Sequence, residues 1–161
     1  MMSRRLLNGL SLIAIFAILA FALYLQYIKG EDPCPLCIFQ RIAYIALAVW
    51  FFLDWLHNPK SWGVYIYSLF KLIAALGGLI IAGRQVWLQH LPPDLVPACG
   101  PGLSYILATH PFFKAFAIVL QGSGDCATVT WRFLNLSIAQ WSLCLFITFL
   151  FLIIINLLNR R

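Results

Sequence analysis

Two cysteines separated by two residues are the clearest chemical feature of this sequence. The motif is Cys34-Pro35-Leu36-Cys37, and Pro35 suits the first position of a helix, where its missing N–H has no intrahelical partner. Cys34 is then expected near the N-cap and Cys37 in the first turn. The free amides and the dipole at a helix start favour a thiolate at Cys37. The pair is predicted to form a strained disulfide that is easily reduced and formed again.

Metal binding is the competing interpretation of the same motif. Zinc requires two more ligands, which Cys99 and Cys126 could supply, although neither belongs to a second closely spaced pair. Covalent haem attachment requires a histidine directly after the second cysteine, and this position holds Ile38. Redox exchange is favoured and no metal site is predicted, but a metal site and an inert structural disulfide remain alternatives.

A second pair of cysteines, Cys99 and Cys126, has 26 residues between its members. Such a pair often staples a loop by lowering the entropy of the unfolded chain. Its flanks at 97–102 and 122–125 are rich in glycine and are predicted to be flexible rather than packed, which favours exchange with the first pair. The fifth cysteine, Cys144, lies in an apolar run and is predicted to be a small buried hydrophobic residue.

The amino-acid composition indicates the class of protein that carries these cysteines. Of 161 residues, 63% are hydrophobic and only 10% are charged, whereas soluble proteins have about 25% charged residues. This excludes an ordinary soluble enzyme and a disordered chain. The formal charge of +6 comes from scattered basic residues rather than a basic face, so nucleic-acid binding is excluded as well. The chain is predicted to be an integral membrane protein.

Four segments are apolar and long enough to cross a bilayer, which takes about 20 residues. The predicted spans are 6–28, 38–56, 62–86 and 139–158, and a polar turn at 58–60 joins the middle two into a hairpin. The predicted fold is an all-α bundle of four transmembrane helices, with a single domain over 1–161.

Two segments lie on the outer side of this bundle, one short (29–37) and one long (87–138). The long segment holds five prolines and four glycines and is predicted to be mostly loop. Its exception is 112–121, an apolar run too short to cross, which is predicted to form a short helix in the membrane interface.

The basic residues next to the spans predict the orientation of the chain. Both termini should be cytoplasmic, because their side carries five basic and no acidic residues: Arg4, Arg5, Lys60, Arg160 and Arg161. Both cysteine pairs follow an odd number of crossings and should share the outer, oxidising compartment. Cleavage of a signal peptide after about residue 22 is the alternative. Against it, the apolar run continues to Ile28.

Charged residues inside predicted spans are candidates for function. Arg41 follows Cys37 by four residues and is expected on the same helix face, one turn deeper towards the bilayer. Arg84 is predicted to anchor lipid headgroups, and Lys71 to extend to the cytoplasmic surface. The other residues predicted at surfaces are Trp87, Trp131 and Trp141, as an interfacial aromatic belt, and His57 and His110.

The ordered set of motifs resembles the disulfide bond formation protein B (DsbB) family of bacterial inner-membrane thiol oxidases. The resemblance covers essentially the whole chain. It rests on Cys-Pro-Leu-Cys-Ile-Phe-Gln-Arg at 34–41, Gly-Arg-Gln-Val-Trp-Leu-Gln at 83–89 leading to Pro-Ala-Cys-Gly at 97–100, and Gly-Ser-Gly-Asp-Cys at 122–126. Vitamin K epoxide reductase-like proteins place the loop cysteines before the C-x-x-C motif, which is the reverse of the order here.

The resemblance implies a relay of electrons through two disulfides. Cys99 and Cys126 would oxidise a soluble periplasmic partner, a thioredoxin-like thiol oxidase similar to DsbA. Electrons would pass to Cys34 and Cys37 and then to a membrane quinone, either ubiquinone or menaquinone. Together with this partner, the family keeps the bacterial periplasm oxidising.

The resemblance also implies a quinone site formed by Cys37, Arg41 and His90, although ordinary interfacial hydrogen bonds account for His90 equally well. Position 40 is acidic in some relatives and is Gln40 here, which puts proton delivery from this position in doubt. Three other functions remain open: a dedicated-substrate paralogue of the family, a metal or haem carrier that uses histidines and cysteines, and a scaffold with two structural disulfides.

Overall fold

The computed structural model describes residues 4–59, 62–100 and 103–158. Within these ranges four helices are long and apolar enough to cross a membrane: α1 (Arg4–Tyr27), α2 (Pro35–His57), α3 (Gly63–Gln89) and α7 (Ile138–Leu158). Each predicted span overlaps one of them. The chain is therefore an all-α, multi-pass membrane protein, as its composition indicated. Lys60, Arg160 and Arg161, which support the predicted orientation, lie outside the described residues.

Helix α2 begins and ends at residues that the sequence marks. Cys34 is its N-cap, and Pro35 occupies the first helical position. At the other end Asn58 adopts a left-handed conformation, with φ of 41°, and its N–H donates to the Asp54 carbonyl. Pro59 follows, so the chain turns at the predicted place before α3 begins at Gly63.

The four long helices pack around an aromatic core. Tyr44 of α2 stacks on Phe146 of α7, with 4.3 Å between the ring centroids. Helix α3 approaches α7 closely because Gly78 has no side chain, and a Cβ at this position would lie 2.2 Å from the Phe146 ring. Small residues at such contacts are typical of helices that pack inside membranes.

The chain between α3 and α7 contains more helix than predicted. Helix α5 (Phe112–Gln121) matches the predicted segment, and its location in the membrane interface stays a prediction. A 3₁₀ turn (Pro93–Leu95) and helices α4 (Leu103–Thr109) and α6 (Gly124–Ala127) were not predicted. All three are too short to show a periodic pattern. Burial of Ile106 and Cys126 against α2 and α3 accounts for α4 and α6.

A two-stranded hairpin precedes α7 and was also not predicted. Strand β1 (Arg132–Phe133) pairs antiparallel with β2 (Leu136–Ser137), with Arg132 opposite Ser137. The two residues of its turn have φ of 51° and 62°, as in the turns that suit a two-residue hairpin. The Trp141 indole donates to the Phe133 carbonyl at 3.1 Å, which joins the hairpin to α7.

Two predictions about single residues in the spans are wrong, those for Lys71 and Cys144. Lys71 does not extend to the surface: its side chain is buried, and its Nζ lies 2.6 Å from a carboxylate oxygen of Asp54. Burying an ammonium is costly unless it is paired, and Asp54 supplies the pair within the bundle.

Arg84 binds the end of α5, and its predicted contact with lipid headgroups stays a prediction. Its Nε and Nη2 donate to the carbonyls of Leu120 at 3.0 Å and Gln121 at 2.9 Å, at the C-terminal end of α5. These carbonyls have no partner within their own helix, so the guanidinium caps α5. It also lies over the Trp87 ring, 4.2 Å from its centroid.

Cys144 is exposed rather than buried. The buried face of α7 repeats every three to four residues, and Cys144 falls between its members, which are Ala139, Ser142, Phe146, Phe149, Ile153 and Asn156. Of the residues predicted at surfaces, His57 and Trp87 are exposed, whereas His110, Trp131 and Trp141 are half-buried.

Candidate redox site

The C-x-x-C motif lies at the start of α2, as its spacing predicted. The N–H of Cys37 donates to the sulfur of Cys34 at 3.4 Å, so the cysteine itself caps the helix. The two sulfurs are 2.9 Å apart, both as free thiols. This arrangement holds both sulfurs where the free amides of the first turn favour negative charge.

Cys126 joins this pair. Its side chain is buried and hydrogen-bonded to Cys34, although 91 residues lie between them in the sequence. The Cys34 thiol, helped by backbone N–H groups of Ser123 and Leu36, lowers the pKa of Cys126 to about 6, against the opposing effect of burial. Hydrogen bonds to Cys126 and Cys37, and then burial, raise the pKa of Cys34. The surroundings therefore favour negative charge on Cys126 over Cys34.

Cys99 lies apart from this cluster and is exposed. A hydrogen bond with the Asp125 carboxylate, reinforced by its negative charge, raises the pKa of the Cys99 thiol. Its chain segment packs on Gly124, where a Cβ would come within 2.8 Å of the Pro97 carbonyl and 3.3 Å of the Cys99 sulfur. The prediction of unpacked flanks is wrong at Gly124, because glycine allows the two segments to touch. Pro101 and Gly102 of the same predicted flank lie outside the described residues.

Gln85 contacts both thiols of the motif, and Gln40 binds Gln85; neither contact was predicted from the sequence. Gln85 of α3 is 4% exposed, and its Nε2 lies 3.2 Å from the Cys37 sulfur and 3.4 Å from the Cys34 sulfur. Its Oε1 accepts from the Nε2 of Gln40 at 2.7 Å. A polar residue within an apolar span was the available signal for Gln85. Only the packing of α3 on α2 shows which groups it contacts.

An apolar cavity of about 680 Å³ opens beside the thiols, between α1, α2, α7 and the 128–131 segment. Cys37, Arg41, Gln40 and Gln85 contribute to its lining. Most of its other walls are aliphatic and aromatic, including Ala17, Leu25, Tyr44, Trp131, Trp141 and Leu145. Such a cavity, mostly apolar with a few convergent polar groups, is typical of a small-molecule site.

Arg41 lies at this cavity with neutral partners. Its guanidinium donates to the Gln26 side-chain oxygen and, at 3.1 Å, to the Ala22 carbonyl. The ion pairs found in the described part of the chain fall on Asp54, so Arg41 has no carboxylate within salt-bridge distance there. Its positive charge is therefore available to an anionic or carbonyl group in the cavity.

His90 is placed differently from the other predicted site residues. It is the exposed C-cap of α3, and its Nδ1 lies 2.8 Å from the Val86 carbonyl. It is not among the residues that line the cavity. The three histidines also do not converge, since His57 ends α2 and binds the Tyr67 hydroxyl at the opposite end of the bundle.

A bundle of four membrane-crossing helices, with three clustered thiols beside an apolar cavity, defines a membrane protein of the thiol–disulfide oxidoreductase class. Residues 4–156 match the family described as disulfide bond formation protein DsbB. The chain belongs to this family, as its motifs indicated, and is accordingly a disulfide-forming oxidoreductase.

Individual relatives agree over most of their length. Disulfide bond formation protein B of Hahella chejuensis is 47% identical over 148 residues, covering 92% of this chain and 90% of that protein. The protein of the same name from Acinetobacter baumannii is 45% identical over 150 residues, covering 92% and 88%. That of Marinobacter nauticus is 42% identical over 159 residues, covering 99% and 95%.

Proposed function

We propose that this protein is a quinone-dependent thiol oxidase that reoxidises a periplasmic, thioredoxin-like dithiol oxidase of the DsbA type. One observation carries the proposal: Cys126, a member of the loop pair, is hydrogen-bonded to Cys34 of the C-x-x-C pair. A low-pKa thiolate in contact with a cysteine of the other pair is the arrangement that thiol–disulfide exchange between pairs requires.

The relay begins with two oxidised pairs. A partner thiolate attacks Cys99 of the Cys99–Cys126 disulfide, and Cys126 leaves with the bonding electron pair. Hydrogen bonds from the backbone N–H groups of Ser123 and Leu36 stabilise the Cys126 thiolate as it leaves. The Cys126 thiolate then attacks Cys34, which breaks the Cys34–Cys37 bond and leaves Cys37 as a thiolate.

The second half of the exchange restores the loop pair. The second thiol of the partner resolves the mixed disulfide and releases Cys99, and the partner is then oxidised. Cys99 attacks Cys126, which regenerates their disulfide and releases Cys34. Two electrons and two protons have then passed from the partner to the bundle, and both Cys34 and Cys37 are reduced.

The cavity fits a quinone as the final electron acceptor. Its apolar walls suit the ring and an isoprenoid tail, Cys37 lines it, and the Arg41 guanidinium offers positive charge to a quinone oxygen. A bound quinone would supply a two-electron acceptor for the return of Cys34 and Cys37 to a disulfide. Ubiquinone and menaquinone share this chemistry.

The proposal includes a location in the bacterial inner membrane, with both termini cytoplasmic and both cysteine pairs periplasmic. Arg4 and Arg5 support this orientation through the excess of basic residues on the cytoplasmic side of membrane proteins. A thiol reagent that cannot cross membranes should label the reduced cysteines of intact spheroplasts from outside. Labelling only after lysis would contradict the orientation.

The decisive experiment measures quinone reduction by the purified chain in the presence of a reduced, thioredoxin-like dithiol protein. We expect one quinol for each dithiol oxidised, without any requirement for oxygen. Cys37→Ser should abolish quinone reduction, whereas Cys144→Ser, at an exposed cysteine that does not line the cavity, should retain it. Normal turnover in Cys37→Ser would contradict the proposed relay.

The partner can be identified by a trapping experiment. In Cys126→Ser the loop disulfide cannot form, so Cys99 should remain in a stable mixed disulfide with an oxidised partner. Capture of a general dithiol oxidase supports the proposed role, and capture of one dedicated substrate protein would assign the chain to a specialised branch of the family.

A further inference from the structure

The side chain of Gln85 touches both sulfurs of the C-x-x-C motif from the neighbouring helix. Its Nε2 is 3.2 Å from the Cys37 sulfur, whereas its Oε1 is 3.6 Å from the same atom. Nε2 also reaches the Cys34 sulfur at 3.4 Å. An amide nitrogen carries two hydrogens, one for each sulfur, so the NH₂ end faces the motif.

Gln40 accounts for this orientation of the amide. Its Nε2 donates to the Oε1 of Gln85 at 2.7 Å, and both glutamines are 4% exposed. An amide can be turned end for end at little steric cost, so its direction depends on its partners. The Gln40 donor binds the carbonyl end of Gln85, and the NH₂ end is then the one that lies closer to the Cys37 sulfur.

We propose that Gln85 is a catalytic residue whose amide N–H groups stabilise the Cys37 thiolate, and that Gln40 is a positioning residue that keeps this amide in the donating orientation. The inference rests on the proposed thiol oxidase function and adds the group that receives the charge of the exchange step. Neither glutamine carries a charge, so the device works without a buried ion.

The step concerned is the attack of Cys126 on Cys34. One S–S bond forms between Cys126 and Cys34 as the bond between Cys34 and Cys37 breaks, and the electron pair of the broken bond stays on Cys37. Negative charge therefore moves from Cys126 to Cys37. Donors that already face the sulfur of Cys37 need no rearrangement at that moment, which is how fixed dipoles lower a barrier.

The chemistry of position 40 makes the inference specific. An ionised glutamate there can only accept hydrogen bonds, so in Gln40→Glu the Gln85 amide should turn to donate to it. The Gln85 carbonyl oxygen would then face Cys37 and repel its thiolate. The variant retains the size of the side chain and reverses its hydrogen-bonding role.

The experiment uses the full chain with Cys37 as its single cysteine: Cys34, Cys99 and Cys126 are replaced by serine, and Cys144 by alanine. The rate of alkylation of Cys37 by iodoacetamide is measured from neutral pH to the plateau at high pH. Because only the thiolate reacts, the ratio of the neutral rate to the plateau rate gives the thiolate fraction, and the plateau itself reports access to the sulfur.

In this background Gln85→Leu and Gln40→Glu should each lower the thiolate fraction at neutral pH about tenfold, the effect of a typical hydrogen bond to a charged group. The double variant should be no worse than Gln85→Leu alone, because both changes remove the same donor. Gln140→Leu is the matched control, since the Gln140 side chain accepts from the backbone N–H of Ser137 and belongs to the start of α7 rather than to the thiol cluster. It should leave the fraction unchanged.

Each result decides between readings. An unchanged thiolate fraction in Gln85→Leu would overturn the role of Gln85, and an unchanged fraction in Gln40→Glu would overturn the orienting role of Gln40. The single-cysteine chain has no turnover, so neither outcome bears on the thiol oxidase proposal. Conversely, a tenfold loss here together with absent quinone reduction in the native chain would support the donor and reject the oxidase.

Discussion

The bundle has a polar cluster at each of its ends. In one cluster the charged groups pair with each other, and in the other the donors face sulfur atoms and a cavity. At one end, here named the ion-pair end, Asp54 receives hydrogen bonds from Arg4, Lys71 and Asn8. Asn156 completes the cluster through Asn8 at 3.0 Å. The residues come from α1, α2, α3 and α7, so the three other long helices meet α2 at the Asp54 carboxylate either directly or, for α7, through Asn8.

At the other end, here named the thiol end, the donors point to sulfur and to a cavity. Gln85 donates to the Cys34 and Cys37 thiols, and Arg41 has neutral oxygens as partners. The carboxylate of the ion-pair end has used its accepting capacity within the protein. The groups of the thiol end retain donors and positive charge that a reacting sulfur or a ligand can use.

This difference teaches that burial of a charged residue in a membrane bundle does not by itself identify a functional site. Asp54 and Lys71 are more completely buried than Arg41, yet they are paired with each other, and neither lines the apolar cavity beside the thiols. Arg41 is half-buried, lines the cavity and lacks an acidic partner among the described residues. Unused hydrogen-bonding capacity at a cavity is the better indicator.

The largest expected effect is on stability at the ion-pair end. Asp54→Asn should lower the unfolding free energy in detergent micelles by about 3 kcal/mol, because it leaves buried cations without their counterion. The double variant Asp54→Leu/Lys71→Met should cost less than Asp54→Asn alone, since it removes both charges. Denaturant titration of the two variants measures this difference. Equal losses would mean that charge pairing is not what this cluster contributes.

At the thiol end the matching substitution should affect ligand binding instead. Arg41→Met should raise the KM for quinone about tenfold while changing the unfolding free energy by less than about 1 kcal/mol, because the lost partners are neutral and the cavity is already open. Arg84→Met is the control, since that guanidinium caps α5. A destabilised Arg41→Met with an unaltered KM would place Arg41 in the same structural category as Asp54.

The thiol end should also respond to pH through Cys126. Its thiolate, formed above a pKa of about 6, should be alkylated at a constant rate above about pH 7 and about tenfold more slowly for each pH unit below the pKa. In Cys34→Ala the midpoint should move to higher pH, because the Cys34 hydrogen bond is the largest cause of the low pKa. The rates are measured in two chains without Cys37, Cys99 and Cys144, one that keeps Cys34 and one that carries Cys34→Ala. An equal midpoint in the two chains would contradict the contact between Cys34 and Cys126.

The smallest expected effect sharpens the description of the ion-pair end. Asn156→Leu removes a single neutral hydrogen bond to Asn8, so the unfolding free energy should fall by about 1 kcal/mol. Cys144→Ala, on the exposed face of the same helix, should change it by less than about 0.5 kcal/mol. A loss as large as that in Asp54→Asn would show that Asn156 supports the whole cluster rather than one bond.

The parts of the fold that follow local rules were predictable. Pro35 and Cys34 mark the start of α2 through the geometry of a helix N-terminus, and uncharged runs of about 20 residues mark the long helices. The short helices α4 and α6 and the hairpin were not predictable, because their residues are ordered by contacts with α2, α3 and α7 rather than by their own periodicity.

The candidate site also has a part that was predictable from the sequence and a part that was not. The types and spacing of Cys34 and Cys37 indicate their chemistry, since C-x-x-C at a helix start favours a thiolate whatever surrounds it. The partners of these thiols depend on distant residues. Cys126 is 92 positions from Cys34, and Gln85 is 48 positions from Cys37, so no local pattern links them.

The amino-acid sequence by itself determined that this chain crosses a membrane, carries a dithiol at the start of a helix and belongs with disulfide-forming proteins, because hydrophobic length, helix capping and motif order are properties of neighbouring residues. Only the tertiary structure decided that Cys126 rather than Cys99 meets Cys34, that Lys71 is paired inside the bundle, and that Gln85 faces the sulfurs. Those contacts exist because four helices pack in one particular arrangement, which brings distant polar groups within hydrogen-bond distance.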